Sequence, residues 1–168
     1  PDRRQTLYRG LTRMTETTLK DATPDDLKIV MGWVHSADEL RFWGGPKLTW
    51  PPDAVRLWHE MEADAFPPYA LMEDGNFLAG FGQILLREPG TAHLGRIMLS
   101  PERRGRGLGR VLVEKLIARG IELYHPLRFT LNVYRRNLPA VATYQSIGFK
   151  VLEEDAEHAS FKMEWTVK

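Results

Sequence analysis

The 168-residue sequence contains no cysteine. Disulfides, thiolate zinc sites and a cysteine nucleophile are therefore excluded, and several enzyme classes go with them. Long apolar runs are missing too, since nothing approaches the roughly twenty residues that span a bilayer, so no membrane partner is expected. Net charge is close to zero, with 23 Lys and Arg against 22 Asp and Glu, which provides no general field for nucleic acid. The N-terminal residues PDRRQTLYRGLTR are basic and polar without the apolar stretch of a secretory signal. A cytoplasmic location is the expectation that follows.

What remains is the composition of an ordinary globular protein, 43% hydrophobic and 27% charged. A chain of this length buries roughly 70% of its unfolded surface in one core. Met14, followed by TETTLKDATPDDL, reads as a natural start. Residues 1–13 are accordingly taken as an upstream extension that contributes little to the fold, and 14–168 as a single domain.

A first strand is expected near Thr17 to Asp21, followed by a helix start at Thr23-Pro24 with a capping threonine and a proline just inside. Leu27, Val30, Met31 and Val34 carry helical periodicity, Phe42 to Pro52 reads as a loop, and a second helix covers Val55 to Met61. Two strands, Tyr69 to Glu73 and Phe77 to Arg87, flank an Asp-Gly-Asn turn as a hairpin. Another strand, Ala92 to Leu99, ends at Ser100-Pro101. The next helix has Leu108, Val111, Leu112 and Leu116 on one face, with Gly120 as its expected stop. A strand at Arg128 to Val133, a helix over Leu138 to Ser146, and strands at Lys150 to Glu154 and Ser160 to Val167 complete an α/β (α+β) order. Hairpins alternate with helical crossovers, so the sheet must mix parallel and antiparallel pairs.

One cluster stands out: residues 102–110, ERRGRGLGR, hold four arginines among three glycines between an apolar strand and an amphipathic helix. The first amides of a helix have no intrahelical partner, its dipole is positive there, and glycines let a phosphate approach the backbone. Arg103, Arg104 and Arg106 add charge-assisted donors. Two nucleotide templates fail on this segment. The P-loop pattern needs a lysine and then serine or threonine after its last glycine, where Arg110-Val111 stand. The dinucleotide fingerprint needs glycine or alanine at position 110.

The segment LGRIMLSPERRGRGLGRVLVEKLI resembles the acetyl-CoA-binding motif of the GNAT acetyltransferases, with Arg104, Gly107 and Gly109 at its fixed positions. A second stretch, LNVYRRNLPAVATYQSIGF, resembles the same family's downstream motif through Leu131, Val133, Asn137, Ala140, Tyr144 and Gly148-Phe149. The resemblance implies a GNAT fold, a central mixed, mostly antiparallel, twisted sheet of about six to seven strands with about four helices. It also implies an N-acetyltransferase that uses acetyl-CoA as co-substrate, with no metal, and passes the acetyl group directly to a primary amine of a small molecule or peptide. The alternative is a silent acyl-CoA-binding sensor or interaction domain of the same fold. A homodimer is compatible with either.

By that resemblance the amides of Arg104, Gly105, Arg106, Gly107, Leu108 and Gly109 bind the pyrophosphate, with Arg103 and Arg110 beside them. The edge Ile97, Met98, Leu99 pairs with the pantetheine arm, much as a peptide adds to a sheet. Asn137 caps its helix and lies beside the cofactor, and Tyr144 is placed to protonate the leaving thiolate. His93 is the first choice for general base, with Glu73 and Glu88 behind it, because an amine is mostly protonated at pH 7. The aromatics Phe42, Trp43, Trp50 and Trp58, with Glu39, Glu60 and Glu62, form the expected acceptor wall and suit a cationic amine.

Overall fold

A computed structural model describes residues 15–168; the expectation for 1–13 lies outside the described residues. Seven strands form one sheet in the order β1-β2-β3-β4-β5-β7-β6. They are β1 (Thr17–Asp21), β2 (Pro68–Glu73), β3 (Phe77–Glu88), β4 (Thr91–Leu99), β5 (Arg128–Tyr134), β6 (Lys150–Asp155) and β7 (Ser160–Thr166). The helices are α1 (Pro24–Met31), α2 (Ala37–Gly44), α3 (Ala54–Glu60), α4 (Leu108–Tyr124) and α5 (Leu138–Ile147). Every strand pair is antiparallel except β4 with β5. None of the described helices is long and apolar enough to cross a membrane.

Local chemistry explains most helix starts. Thr23 and Asp26 form a reciprocal capping box at α1, and the side chains of Ser36, Asp53 and Asn137 cap α2, α3 and α5. Helix α4 is different: Gly107, at φ 78°, precedes it and no side chain caps it.

Two of the sequence expectations need correction. Residues Phe42 to Gly44 are not loop; they are the last turn of α2, a helix begun by Ser36 that brings the total among the described residues to five. The Gly-Pro content further along hid it. Nor does Gly120 stop α4, which continues to Tyr124. A methyl at Gly120 would lie 2.6 Å from the Phe129 ring, so glycine is there to let helix and strand approach.

The sheet is covered differently on its two faces. Helices α4 and α5 cover one face with Leu112, Leu116, Ile117 and Tyr144, packed on Ile84, Leu94, Phe129 and Leu131 from the strands. On the other face, α1, α2 and α3 pack Leu27, Leu40, Trp43 and Leu57 on Ala70, Leu78 and Phe81. That second layer covers β2 and β3. Beyond it, His93, Thr130 and Lys162 of β4, β5 and β7 line an open cavity.

Candidate active site

Strands β4 and β5 pair only from Thr91 with Arg128 to Leu94 with Leu131. Past Leu94 the two part, β5 continuing beside β7 and β4 beside β3. The β4 backbone from Gly95 to Leu99 therefore presents an edge without a strand on its β5 side. The separation coincides with a bulge: Phe81 faces Met98 while Gln83 faces Gly95, so Arg96 and Ile97 stand opposite one residue, and Arg96 sits at φ 54°. The indole N–H of Trp43 donates to the Arg96 carbonyl at 2.8 Å, which ties α2 to the bulge.

The splayed edge leads through a short 3-10 turn, Pro101–Arg103, into the glycine loop. Gly105 and Gly107 have φ values of 72° and 78°, and a methyl built on either meets nothing within 4 Å. The first amides of α4 have no capping side chain, so the loop is a concave run of donors with the positive helix end behind it. Such a cradle fits a pyrophosphate, and a strand-like edge beside it fits an amide-bearing arm.

The arginines of the loop divide. Arg103 turns back to the sheet, where its guanidinium pairs with the buried Glu73 carboxylate and lies 3.8 Å from the centre of the Phe77 ring. Arg110 pairs with Glu114 one turn along at 2.8 Å. Arg104 and Arg106 are exposed, and Arg104 reaches the Leu99 carbonyl at 3.5 Å.

Helix α5 brings the downstream motif to the same place. A methyl on Gly109 would lie 3.7 Å from Leu99 Cδ1 and 3.9 Å from Thr143 Cγ2, so the end of β4, the start of α4 and the middle of α5 converge. Asn137 Oδ1 accepts from the Ala140 amide at 3.4 Å as the α5 cap. Tyr144 is buried, meets Phe149 edge-on at 6.1 Å, and has its phenol pushed up to about 12 by burial. It keeps its proton at any physiological pH.

His93 lies across the sheet from this helix layer, in the cavity of about 390 Å³ where the strands part. Its Nδ1 is 3.0 Å from Thr130 Oγ1. Burial, and then Lys162, Arg87 and Arg96, push its imidazole down to about 4. It is neutral at pH 7. Glu88 lines the same cavity, 3.7 Å from Arg128, whereas Glu73 is committed to Arg103. A second cavity, of about 370 Å³, sits at the β3–β4 turn beside Tyr124 and Pro126, away from the glycine loop.

The expected acceptor wall is built otherwise than its composition suggests. Trp43 is core, and Phe42 stacks on Tyr134 with centroids 4.7 Å apart. Glu39 accepts from the His35 amide, Glu60 from Thr49, and Glu62 pairs with Arg87 at 2.8 Å. These carboxylates are committed to partners. The charged residues at the cavity are instead Lys47, Arg87, Arg96 and Lys162 with Glu88. No local signal marks them, since they come from four separate segments.

Comparison with known proteins agrees with this arrangement. The profile of the Acetyltransferase (GNAT) family matches residues 35–149. The spermine/spermidine N(1)-acetyltransferase of Bacillus subtilis is 29% identical over 139 residues, covering 79% of this chain and 86% of that protein. A mycothiol acetyltransferase of Corynebacterium glutamicum is 28% identical over 148 residues, 87% of this chain, and the chain spans about half (50%) of that relative's length. Among solved structures, a spermidine N-acetyltransferase from Vibrio cholerae in complex with CoA and spermine superposes with a TM-score of 0.74 at 16% identity, covering 89% of this chain and 95% of the other. The family profile spans the splayed strand, the uncapped glycine loop and the tyrosine helix together, and on that ground the chain belongs to the GNAT acetyltransferase family.

Proposed function

We propose that this protein transfers the acetyl group of acetyl-CoA to a primary amine by direct attack, with both substrates bound together. The observation that carries the reading is the parting of β4 from β5 beside the uncapped start of α4. Acetyl-CoA supplies the activated acyl group as a thioester. The loop amides from Arg104 to Gly109 hold its pyrophosphate, with Arg104 and Arg106 adding charge, and the edge Ile97 to Leu99 aligns its arm. The Leu99 region then aims a backbone N–H at the oxygen where negative charge develops.

Tyr144 donates a hydrogen bond to the departing thiolate. Burial holds its phenol near 12, so it stays protonated, stabilises the developing charge on sulfur and leaves no tyrosinate behind. His93, with Nδ1 against Thr130 Oγ1, presents a free Nε2 lone pair on the opposite side of the sheet in the tautomer whose Nδ1–H donates to that hydroxyl. Burial and then the surrounding cations disfavour positive charge here, which eases deprotonation of an incoming ammonium; its proton moves through the His93 imidazole to solvent, because an imidazole near 4 does not retain it at pH 7. Asn137 fixes the start of α5 and hence the position of Tyr144.

No observation favours a silent acyl-CoA sensor, because glycine loop and tyrosine are both in place. The cytoplasmic location belongs to the same proposal, and so does a homodimer, for which the exposed Val151 and Leu152 on the sheet-edge strand β6 offer a surface. The test is a thermal shift with acetyl-CoA followed by an amine screen for released CoA thiol. Cofactor at a hundred times its Kd contributes about 2.7 kcal/mol, a rise of roughly 5–10 °C for a domain of this size. No shift at millimolar cofactor overturns the proposal.

A further inference from the structure

The cavity on the far side of the strand split is cationic. Arg87 is neutralised by Glu62 at 2.8 Å, and Glu88 lies 3.7 Å from Arg128. Among the described residues Lys47, Arg96 and Lys162 have no acidic partner within ion-pair distance. Arg96 is the telling one. It stands in the β4 bulge, gives one guanidinium N–H to Gln83, and leaves its Nε buried without a hydrogen-bond partner. A half-buried guanidinium whose buried Nε–H is unused is costly unless something completes it.

On the acetyltransferase reading these groups line the acceptor side of the strand split. His93 and Thr130 line the same cavity, and the parting of β4 from β5 opens it toward the edge that faces the glycine loop. A polycation there would meet three positive charges without ion-pair partners, against the one lining carboxylate, Glu88, which shares Arg128 with Glu164. A molecule with an acidic group would satisfy them and leave its amine free for the split.

Resting on the acetyltransferase reading, we propose that the acceptor is a small amine that also carries an acidic group, carboxylate or phosphate, held by Arg96, Lys162 and Lys47. The arrangement separates the two ends of the acceptor. Its anion is bound by the cations, while its ammonium, placed in their field beside neutral His93, loses its proton more readily than in water.

The experiment uses matched pairs: α-amino acids against the amines formed by removing their carboxylate, phosphoethanolamine against ethanolamine, and spermine as a polycation. Each is assayed for CoA release by the whole chain. The acidic member of a pair is expected to have kcat/KM at least tenfold higher, and comparison of the two series tells carboxylate from phosphate. Lys162→Gln and Arg96→Gln should each raise KM for the acidic member several-fold, leave KM for acetyl-CoA unchanged, and narrow the gap within the pair. Should Arg96→Gln fail to fold, Lys162→Gln on β7 decides alone. A direct readout is the His93 imidazole titration by NMR: an anion among Lys162, Arg87, Arg96 and Glu88 should raise its midpoint, and the decarboxylated amine should not. Equal or better use of spermine or of the non-acidic members overturns this proposal and leaves the acetyltransferase standing. Acetyl-CoA binding with no acidic amine acetylated also overturns it. Absence of acetyl-CoA binding removes the underlying reading instead.

Discussion

The two sides of the β4–β5 split make a useful contrast. On one side, residues 97–110 run continuously from strand edge to glycine loop to helix start, and α5 folds back on them within 40 residues. On the other, Lys47, Arg87, Arg96 and Lys162 come from four segments brought together by sheet register and the β4 bulge. One side is built from backbone amides, which any sequence has and only geometry can select. The other is built from side-chain charge, which single substitutions rewrite. A family can therefore keep its cofactor site while its acceptor changes.

The largest expected effect separates the sides by chemistry. Tyr144→Phe should lower kcat by about a hundredfold or more while KM for acetyl-CoA moves less than about twofold, as steady-state kinetics would show; unchanged turnover removes the tyrosine from the mechanism. A purely structural control comes next. Gly120→Ala forces a methyl to 2.6 Å from the Phe129 ring, overpacking that costs about 1–3 kcal/mol. Denaturant unfolding should show the loss with both Michaelis constants preserved, and an unaltered midpoint would mean the helix shifts freely on the sheet.

Gly107→Ala tests the backbone side by itself. A side chain at φ 78° is strained by about 1–2 kcal/mol, and its methyl would point into the open space that the proposed function gives to the pyrophosphate. Acetyl-CoA affinity should fall roughly tenfold, which equals about 1.4 kcal/mol, with acceptor KM unchanged, as read by titration calorimetry. If acceptor KM rises as much, the two sides are not separable.

The last test concerns pH. Unfolded His93 takes up its proton near its ordinary 6.5, whereas the folded imidazole does so only near 4. Between those values the unfolded state holds more protons, so stability rises with pH through that window and falls as pH drops from about 6.5 to 4. His93→Asn should flatten this slope in unfolding curves taken at pH 7, 5.5 and 4.5. A slope identical to that of the unmodified protein would show that burial and the neighbouring cations do not hold the His93 imidazole below its ordinary value.

Much of the fold was legible because its signals are local. The capping box at Thr23, the Asp-Gly turn between β2 and β3, and the apolar stripe of α4 each act within a few residues. Where reading failed, tertiary contact had overruled local preference. Gly120 looks like a helix stop and is instead a packing gap, and Phe42 to Gly44 looked like loop because the following glycines and prolines outweighed the Ser36 cap. Of the aromatics expected to greet a cation Trp43 is core, while Trp50 is exposed, and the carboxylates expected beside them are already paired, as with Glu62.

By itself, the sequence determined the glycine loop and the helix that starts behind it, because glycine spacing and a helix start are properties of one continuous segment, and it determined the position of Tyr144 on its helix. Tertiary structure alone decided three further matters: that Arg103 serves Glu73 and the sheet, that β4 parts from β5 after Leu94, and that the cavity beyond carries positive charge. Each depends on which side chains from distant segments meet, and sheet register with helix packing sets that.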